Sequence, residues 1–149
     1  MGYTFQTDPK KHVKAYGKEL PISPKKSYEI CNAIRGMLLP DAEKFLENVI
    51  ALKQPVKIKR YTYGAAHKKG HGPARYPVKP AKYILKLLRE ARANAESLEI
   101  FDPDNMKIKV IAASRGSIQK GYMPRAHGRS TPWHEQTTNI EVILEQLEE

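Results

Sequence analysis

Residues 107–144 read KIKVIAASRGSIQKGYMPRAHGRSTPWHEQTTNIEVIL. The two ends of this stretch alternate and its middle does not. At residues 107–113, Ile108, Val110 and Ala112 stand against Lys107 and Lys109; at residues 138–144, Ile140, Val142 and Leu144 stand against Asn139, Glu141 and Ile143. A period of two marks a half-buried strand, so the spacing predicts two strands. The more than twenty residues between them carry no helical period. If the ends pair antiparallel, this segment leaves the sheet as an extended hairpin over about residues 114–137. With a dozen residues per arm at roughly 3.3 Å each, it reaches on the order of 40 Å. A two-stranded ribbon that long buries no core of its own and is marginal in water. Arg115, Lys120, Arg125, His127 and Arg129 lie along it with no acid anywhere in residues 105–134, so the surroundings it suits are anionic.

The whole chain shares that bias. Its 149 residues fit one domain, and its formal charge of +10 makes a polyanion the first partner to consider. Residues 53–89 hold eleven Lys and Arg and no Asp or Glu. Acids collect elsewhere: at Asp41, Glu43 and Glu47, over residues 96–104, and from Glu135 onward. An ordinary solvated surface mixes signs, so two acid-free tracts imply two phosphate-facing surfaces. Cys31 is the only cysteine, which rules out an intrachain disulfide and fits a reducing compartment. No run approaches the roughly 18 to 20 apolar residues of a membrane helix, and none reads as a secretory signal. The expectation is a cytoplasmic protein with no membrane partner.

Three helices are expected upstream. Ser23-Pro24 opens the first, over about residues 23–37, with the serine side chain as cap and proline at the first position. Ala42, Phe45, Leu46, Val49 and Ile50 give a second over about residues 41–53, with Asp41 and Glu43 at its positive end. In the third, about residues 79–98, Ile84, Leu87, Leu88, Ala91, Ala95 and Leu98 share one face, and Lys79, Lys82, Lys86 and Arg89 form a cationic row on the other. Residues 13–20 suit a strand after an unpatterned arm of twelve residues. Residues 54–78 read as a long basic loop, and a loop of that length in a compact domain has a binding role or lacks order when free.

Rival chemistries fare poorly. His67 with His71, or His127 with His134, are the only candidates for acid and base in RNA cleavage, and neither pair has a carboxylate nearby in sequence. His67 and His71 lack the cysteines of a usual zinc site, so neither a metal nor a cofactor is expected. Cys31 falls on an apolar helix face and reads as core. The first two helices have the outline of a helix-turn-helix, but Asp41, Glu43 and Glu47 on the second oppose a DNA groove.

The residues ISPKKSYEICNAIRGM, LPDAEKFLENVIAL, REARANAESL and above all GYMPRAHGRSTPWHEQTTNIEVIL resemble the universal large-subunit ribosomal protein family L twenty-two. The likeness runs over about residues 13–144, and the basic insertion and the TPWHEQTT form resemble its archaeal and eukaryotic branch. The resemblance implies an α+β fold: three helices packed on a small three-stranded sheet with a long protruding β-hairpin. It implies a non-enzymatic constituent of the large ribosomal subunit, with large-subunit rRNA and neighbouring ribosomal proteins as partners and the nascent peptide at the hairpin tip. By matching positions the bend falls near Gln119, Lys120 and Gly121, so that these residues, with Tyr122 and Met123, would line the exit tunnel. The rRNA contacts expected from charge and position are Lys25, Lys26, Lys57, Lys59, Arg60, Lys68, Lys69 and Arg75, then Lys79, Lys82, Lys86 and Arg89, then Arg115, Lys120, Tyr122, Arg125, His127 and Arg129. Tyr61, Tyr63, Tyr76, Tyr122 and Trp133 are each either base-stacking partners or ordinary packing residues. Gly116, Gly121 and Gly128 serve close approach to RNA or tight turns.

Overall fold

The computed structural model describes residues 3–98 and 101–147; Glu99 in the acidic stretch and Glu148 and Glu149 at the end lie outside the described residues. In chain order the elements are β1 (His12–Leu20), α1 (Pro24–Ile34), α2 (Leu39–Ile50), β2 (Val56–Lys57), β3 (His67–Lys68), β4 (Gly72–Arg75), α3 (Val78–Ser97), β5 (Met106–Gln119), β6 (Tyr122–Pro124), β7 (Ser130–Pro132) and β8 (Glu135–Gln146). The fold is α+β, with three helices packed on an antiparallel sheet of order β1-β8-β5. Its core lies between the helices and one sheet face. There Val13 pairs with Leu144, Ala15 with Val142 and Ile108 with Leu144, under Ile30, Ile34, Leu46, Ile84 and Leu88.

The alternation expected in β5 breaks at Lys109. Ile108 pairs with Leu144 and Val110 with Ile143, so one extra residue is inserted on β5. Such a bulge flips every following side chain to the other face. Ile111, not Val110 or Ala112, therefore enters the core, opposite Val142. β8 departs from expectation too: it is buried on both faces from Thr137 to Leu144. As the central strand it has neighbours on either side, and the N-terminal arm crosses its second face. There the Thr4 amide donates to Glu141 Oε2 at 3.0 Å, the Tyr3 ring meets Tyr16 edge-on at 5.8 Å, and Lys109 Nζ lies 5.7 Å from the Phe5 ring.

Helix ends also shift for local reasons. Ser23 does not cap α1 with its side chain; instead the Ser27 hydroxyl donates to the Ser23 carbonyl at 2.8 Å. α1 stops at Ile34 rather than near residue 37, because the chain then turns outward to pair with β5: Gly36, at φ +82°, donates to the Ile108 carbonyl, and the Ile108 amide donates to that of Met37. α2 begins at Leu39, taking Pro40 into its first turn where a missing N–H costs nothing. Leu98 falls past the end of α3 and is exposed.

β5 and β8 stay paired from Met106 and Gln146 out to Gln119 and Glu135, while β1 ends opposite Thr138. Past that point β6 and β7 carry the ribbon on, Tyr122 opposite Pro132 and Pro124 opposite Ser130. The bend is closed by the Arg125 amide donating to the Arg129 carbonyl at 2.7 Å, and His127 and Gly128 turn with φ of +59° and +67°. The bend is therefore at residues 125–129, not at Gln119, Lys120 and Gly121. Those three lie on the shaft, where the Gly121 carbonyl accepts from the Trp133 amide at 2.6 Å. A Cβ on Gly121 would stand 2.6 Å from the Trp133 carbonyl oxygen, so the close approach of the two arms requires glycine here.

Two outcomes follow from this packing. Ile111→Ala should cost about 2–5 kcal/mol in urea unfolding, whereas Val110→Ala should cost about 1 kcal/mol or less, reflecting a half-buried site; the reverse ranking would refute the bulge. The second concerns Glu145, whose carboxyl is held below its ordinary value of 4.5 by its hydrogen bond to Lys109 and then by the lysine's charge. A depressed folded-state value stabilises above the unfolded value and is lost as pH falls through the folded one. The melting-temperature gap between wild type and Lys109→Met should therefore be widest near neutrality and narrow below about pH 4.

Candidate nucleic-acid interface

Residues 54–78 are not a featureless loop. β2, β4 and β3 form a small antiparallel sheet in that order, and the crossing segment is tied to the body through one side chain. Glu29 projects from the inner face of α1, 1% exposed, and its carboxylate accepts three successive backbone amides: Lys59 at 3.1 Å, Arg60 at 2.8 Å and Tyr61 at 2.8 Å. A buried carboxylate satisfied by several N–H donors is a strong, directional clamp. It points the side chains of Lys59 and Arg60 outward, where both are exposed. The Arg75 guanidinium fixes the next turn through the Gly64 carbonyl.

Around this clamp cations and aromatic rings alternate. Arg60 lies 5.2 Å from the Tyr28 ring and 5.5 Å from the Tyr61 ring, and Lys25 lies 5.7 Å from Tyr61. Tyr61 itself meets Tyr28 edge-on at 5.7 Å, so it packs. Tyr63 is 100% exposed and touches nothing comparable. On the other side of the small sheet Lys68 lies 5.6 Å from Tyr76. Lys26, Lys57 and Lys69 are exposed, and Lys68 and Arg75 are half-buried.

The cationic face of α3 appears as the spacing predicts: Lys79, Lys82, Lys86 and Arg89 are exposed, and Ile84, Leu87, Leu88, Ala91 and Ala95 are buried. The row is not uniformly free. Arg89 pairs with Glu47 of α2 at 2.9 Å, and Lys86 lies 4.0 Å from Glu90 one turn on. Lys79 is continuous with the hairpin, lining a cleft with Gln119 and Gln136; Ser23 borders both this cleft and the one beside Tyr61. The small sheet, the start of α3 and the root of the hairpin are thus neighbours, although Glu19 and Glu135 also line the cleft that joins Lys79 to the hairpin root.

On the hairpin, Arg115, Lys120, Arg125, His127 and Arg129 are all exposed, as is Tyr122, while Met123 and Gly121 are half-buried. Trp133 is 55% exposed, and Tyr122 meets His134 edge-on at 5.8 Å. Arg125 Nε donates to the Thr131 hydroxyl at 3.2 Å, which aims its guanidinium across the bend. His67 and His71 are exposed in the small sheet. Cys31 is buried in α1, and burial pushes its thiol up to about 12, so it is inert core. Among the described residues no group of His, Cys, Asp and Glu could hold a metal ion, and no helix is long and apolar enough to cross a membrane.

Glu29 was not among the residues the sequence suggested. One signal was present: an acid between Tyr28 and Ile30 on the buried side of α1, where a carboxylate needs donors. Arg92 was also missed. It pairs with Glu43 at 3.0 Å and Asp104 at 3.1 Å and ties α3 to α2.

These surfaces define a class: a basic α+β protein with exposed cations on a small sheet, along one helix face and along a projecting two-stranded finger. Residues 15–145 match the family model described as ribosomal protein L22p/L17e. The chain is 47% identical to the large ribosomal subunit protein uL22 of Methanocaldococcus jannaschii, covering 98% of this chain and 95% of that protein. It is 46% identical to the uL22 protein of Ignicoccus hospitalis (96% and 93% covered) and 47% identical to that of Methanosphaera stadtmanae (95% of both). The chain belongs to the L22p/L17e family of ribosomal proteins.

Glu29→Ala should leave three amides without acceptors. Each buried unpaired donor costs about 1–3 kcal/mol, so the amides of Lys59, Arg60 and Tyr61 should lose hydrogen-exchange protection first, while those of β8 keep theirs until global unfolding. Unchanged exchange at residues 59–61 would show that the clamp is dispensable.

Proposed function

We propose that this protein is a structural constituent of the large ribosomal subunit, not an enzyme, and that it acts by holding large-subunit rRNA in place. One observation carries the reading: residues 114–136 run out of the sheet as an exposed ribbon bearing Arg115, Lys120, Arg125 and Arg129, with no core of its own. Such a ribbon keeps its like charges together at low cost only when phosphate surrounds it. Lys25, Lys26, Lys57, Lys59, Lys68 and Lys69 contact phosphate from the small-sheet side, and Lys79, Lys82 and Lys86 from α3. Lysine contacts of this kind release counterions and give affinity without base sequence. The arginines add planar, bidentate contacts.

The bend at residues 125–129 reaches farthest, so it is the part that lines the nascent-peptide tunnel. Gln119, Lys120, Gly121, Tyr122 and Met123 flank the approach to it along one arm. The working compartment is the cytoplasm, and the paired, near-neutral side of α2 is left for solvent or neighbouring ribosomal proteins. The histidines of the exposed turns suit phosphate contacts rather than acid–base chemistry, since no carboxylate orients them.

Replacing Lys79, Lys82 and Lys86 together by glutamine should weaken binding to large-subunit rRNA and reduce the log–log salt slope by about two to three. Filter binding across a salt series measures it, and an unchanged slope would remove the α3 face from the interface.

A further inference from the structure

Beside the Glu29 clamp lies a cleft of about 470 Å³, bordered by the first turn of α1 and by residues 58–63. That volume falls within the roughly 300–1,000 Å³ of small-ligand pockets. Lys25, Lys26, Arg60 and Arg75 line it, and Glu29 is the one acid at its wall. Both oxygens of Glu29 are turned onto backbone amides, and against this one carboxylate stand four cations, so the cleft keeps a positive balance. The cleft therefore selects an anion.

Its aromatic rings narrow the choice. Tyr61 has two cations near its ring and Tyr28 at its edge, so its ring is already engaged within the fold. Tyr63, at the rim, is wholly exposed, yet its backbone is held: Arg75 donates to the carbonyls of Tyr63 and Gly64. A ring placed by a fixed backbone beside four cations, and wholly exposed among the described residues, suits a flat ligand that carries a phosphate. Bases within a duplex are already stacked on one another, so only an unpaired base offers its face.

We propose that this cleft receives one unpaired nucleotide of RNA, its base stacked on Tyr63 and its phosphate held by Arg60, Lys25 and Lys26. The proposal rests on the rRNA-binding reading and adds the kind of RNA element this part of the surface takes. It also separates the two tyrosines: Tyr63 binds and Tyr61 supports.

The test uses the full-length protein and three labelled probes at one salt concentration: a short single-stranded oligouridylate, an RNA duplex with the same number of phosphates, and polyglutamate of similar charge. Tyr63→Ala should lower affinity for the single strand about tenfold, the loss of one stacked base, and leave duplex and polyglutamate binding unchanged. Tyr63→Phe should keep the single-strand affinity. Lys82→Gln should weaken both RNAs to the same extent. The inference is overturned if Tyr63→Ala leaves the single-strand affinity intact. It is equally overturned if all three probes weaken together, which would mark a plain anion site. Wild-type protein that binds neither RNA would bring down the rRNA reading itself, and this inference with it.

Discussion

β8 has two partners over most of its length and one toward its start. From Thr138 to Glu145 it is hydrogen-bonded to β1 on one side and β5 on the other, and beyond Thr138 only β5 remains. This change in neighbours sets the character of the molecule. Where β8 is central, both of its faces are covered and even Asn139 and Glu141 are buried with partners, the Asn139 side chain accepting from the Glu19 amide at 2.7 Å. Past the end of β1 the same strand becomes one arm of an exposed ribbon. The body anchors the finger through β5 and β8, whose pairing runs from the sheet out to Gln119 and Glu135 with an irregularity between Arg115 and Ile118.

Within the ribbon, stability comes from backbone pairing and close inter-arm contact rather than from apolar burial. Thr137 donates its hydroxyl to the Ser117 carbonyl at 2.9 Å across the irregularity between Arg115 and Ile118. Gly116 faces Thr137 there so closely that no Cβ would fit. With Ile118, Tyr122 and Trp133 all more than half exposed, the ribbon shows apolar as well as cationic surface to its surroundings. Folded RNA can satisfy both, phosphates pairing with the arginines and unpaired bases covering the rings.

What the sequence made legible was whatever depends on periodicity or composition. The buried face and the cation row of α3, the positions of β5 and β8, and the basic character of two tracts all follow from side-chain spacing alone. What escaped it depends on single backbone events or on distant partners. Lys109 carries no mark of the bulge that sends Ile111 rather than Val110 inward. The two sides of β8 look unequal in sequence because its second cover, Thr4 and Phe5, lies more than a hundred residues away. The bend escaped for the same reason: glycine at 121 and glycine at 128 are equivalent signals in sequence, and only the pairing of Tyr122 with Pro132 tells them apart.

The arginines divide into two groups that composition cannot separate. Arg92 is committed to Glu43 and Asp104, and Arg89 to Glu47, so these two spend their charge within the fold and neutralise the α2 side of the molecule. Arg115, Arg125 and Arg129 on the finger form no ion pair among the described residues, and Arg60 lies beside aromatic rings and the backbone-bound Glu29. Pairing the first group with acids has a geometric result. Exposed cations without a carboxylate partner are numerous on the small sheet, the start of α3 and the finger, while the α2–α3 seam holds matched pairs. A polyanion therefore meets unpaired cations on the small sheet, the first turns of α3 and the finger rather than at Arg89 and Arg92, whose charge is already matched.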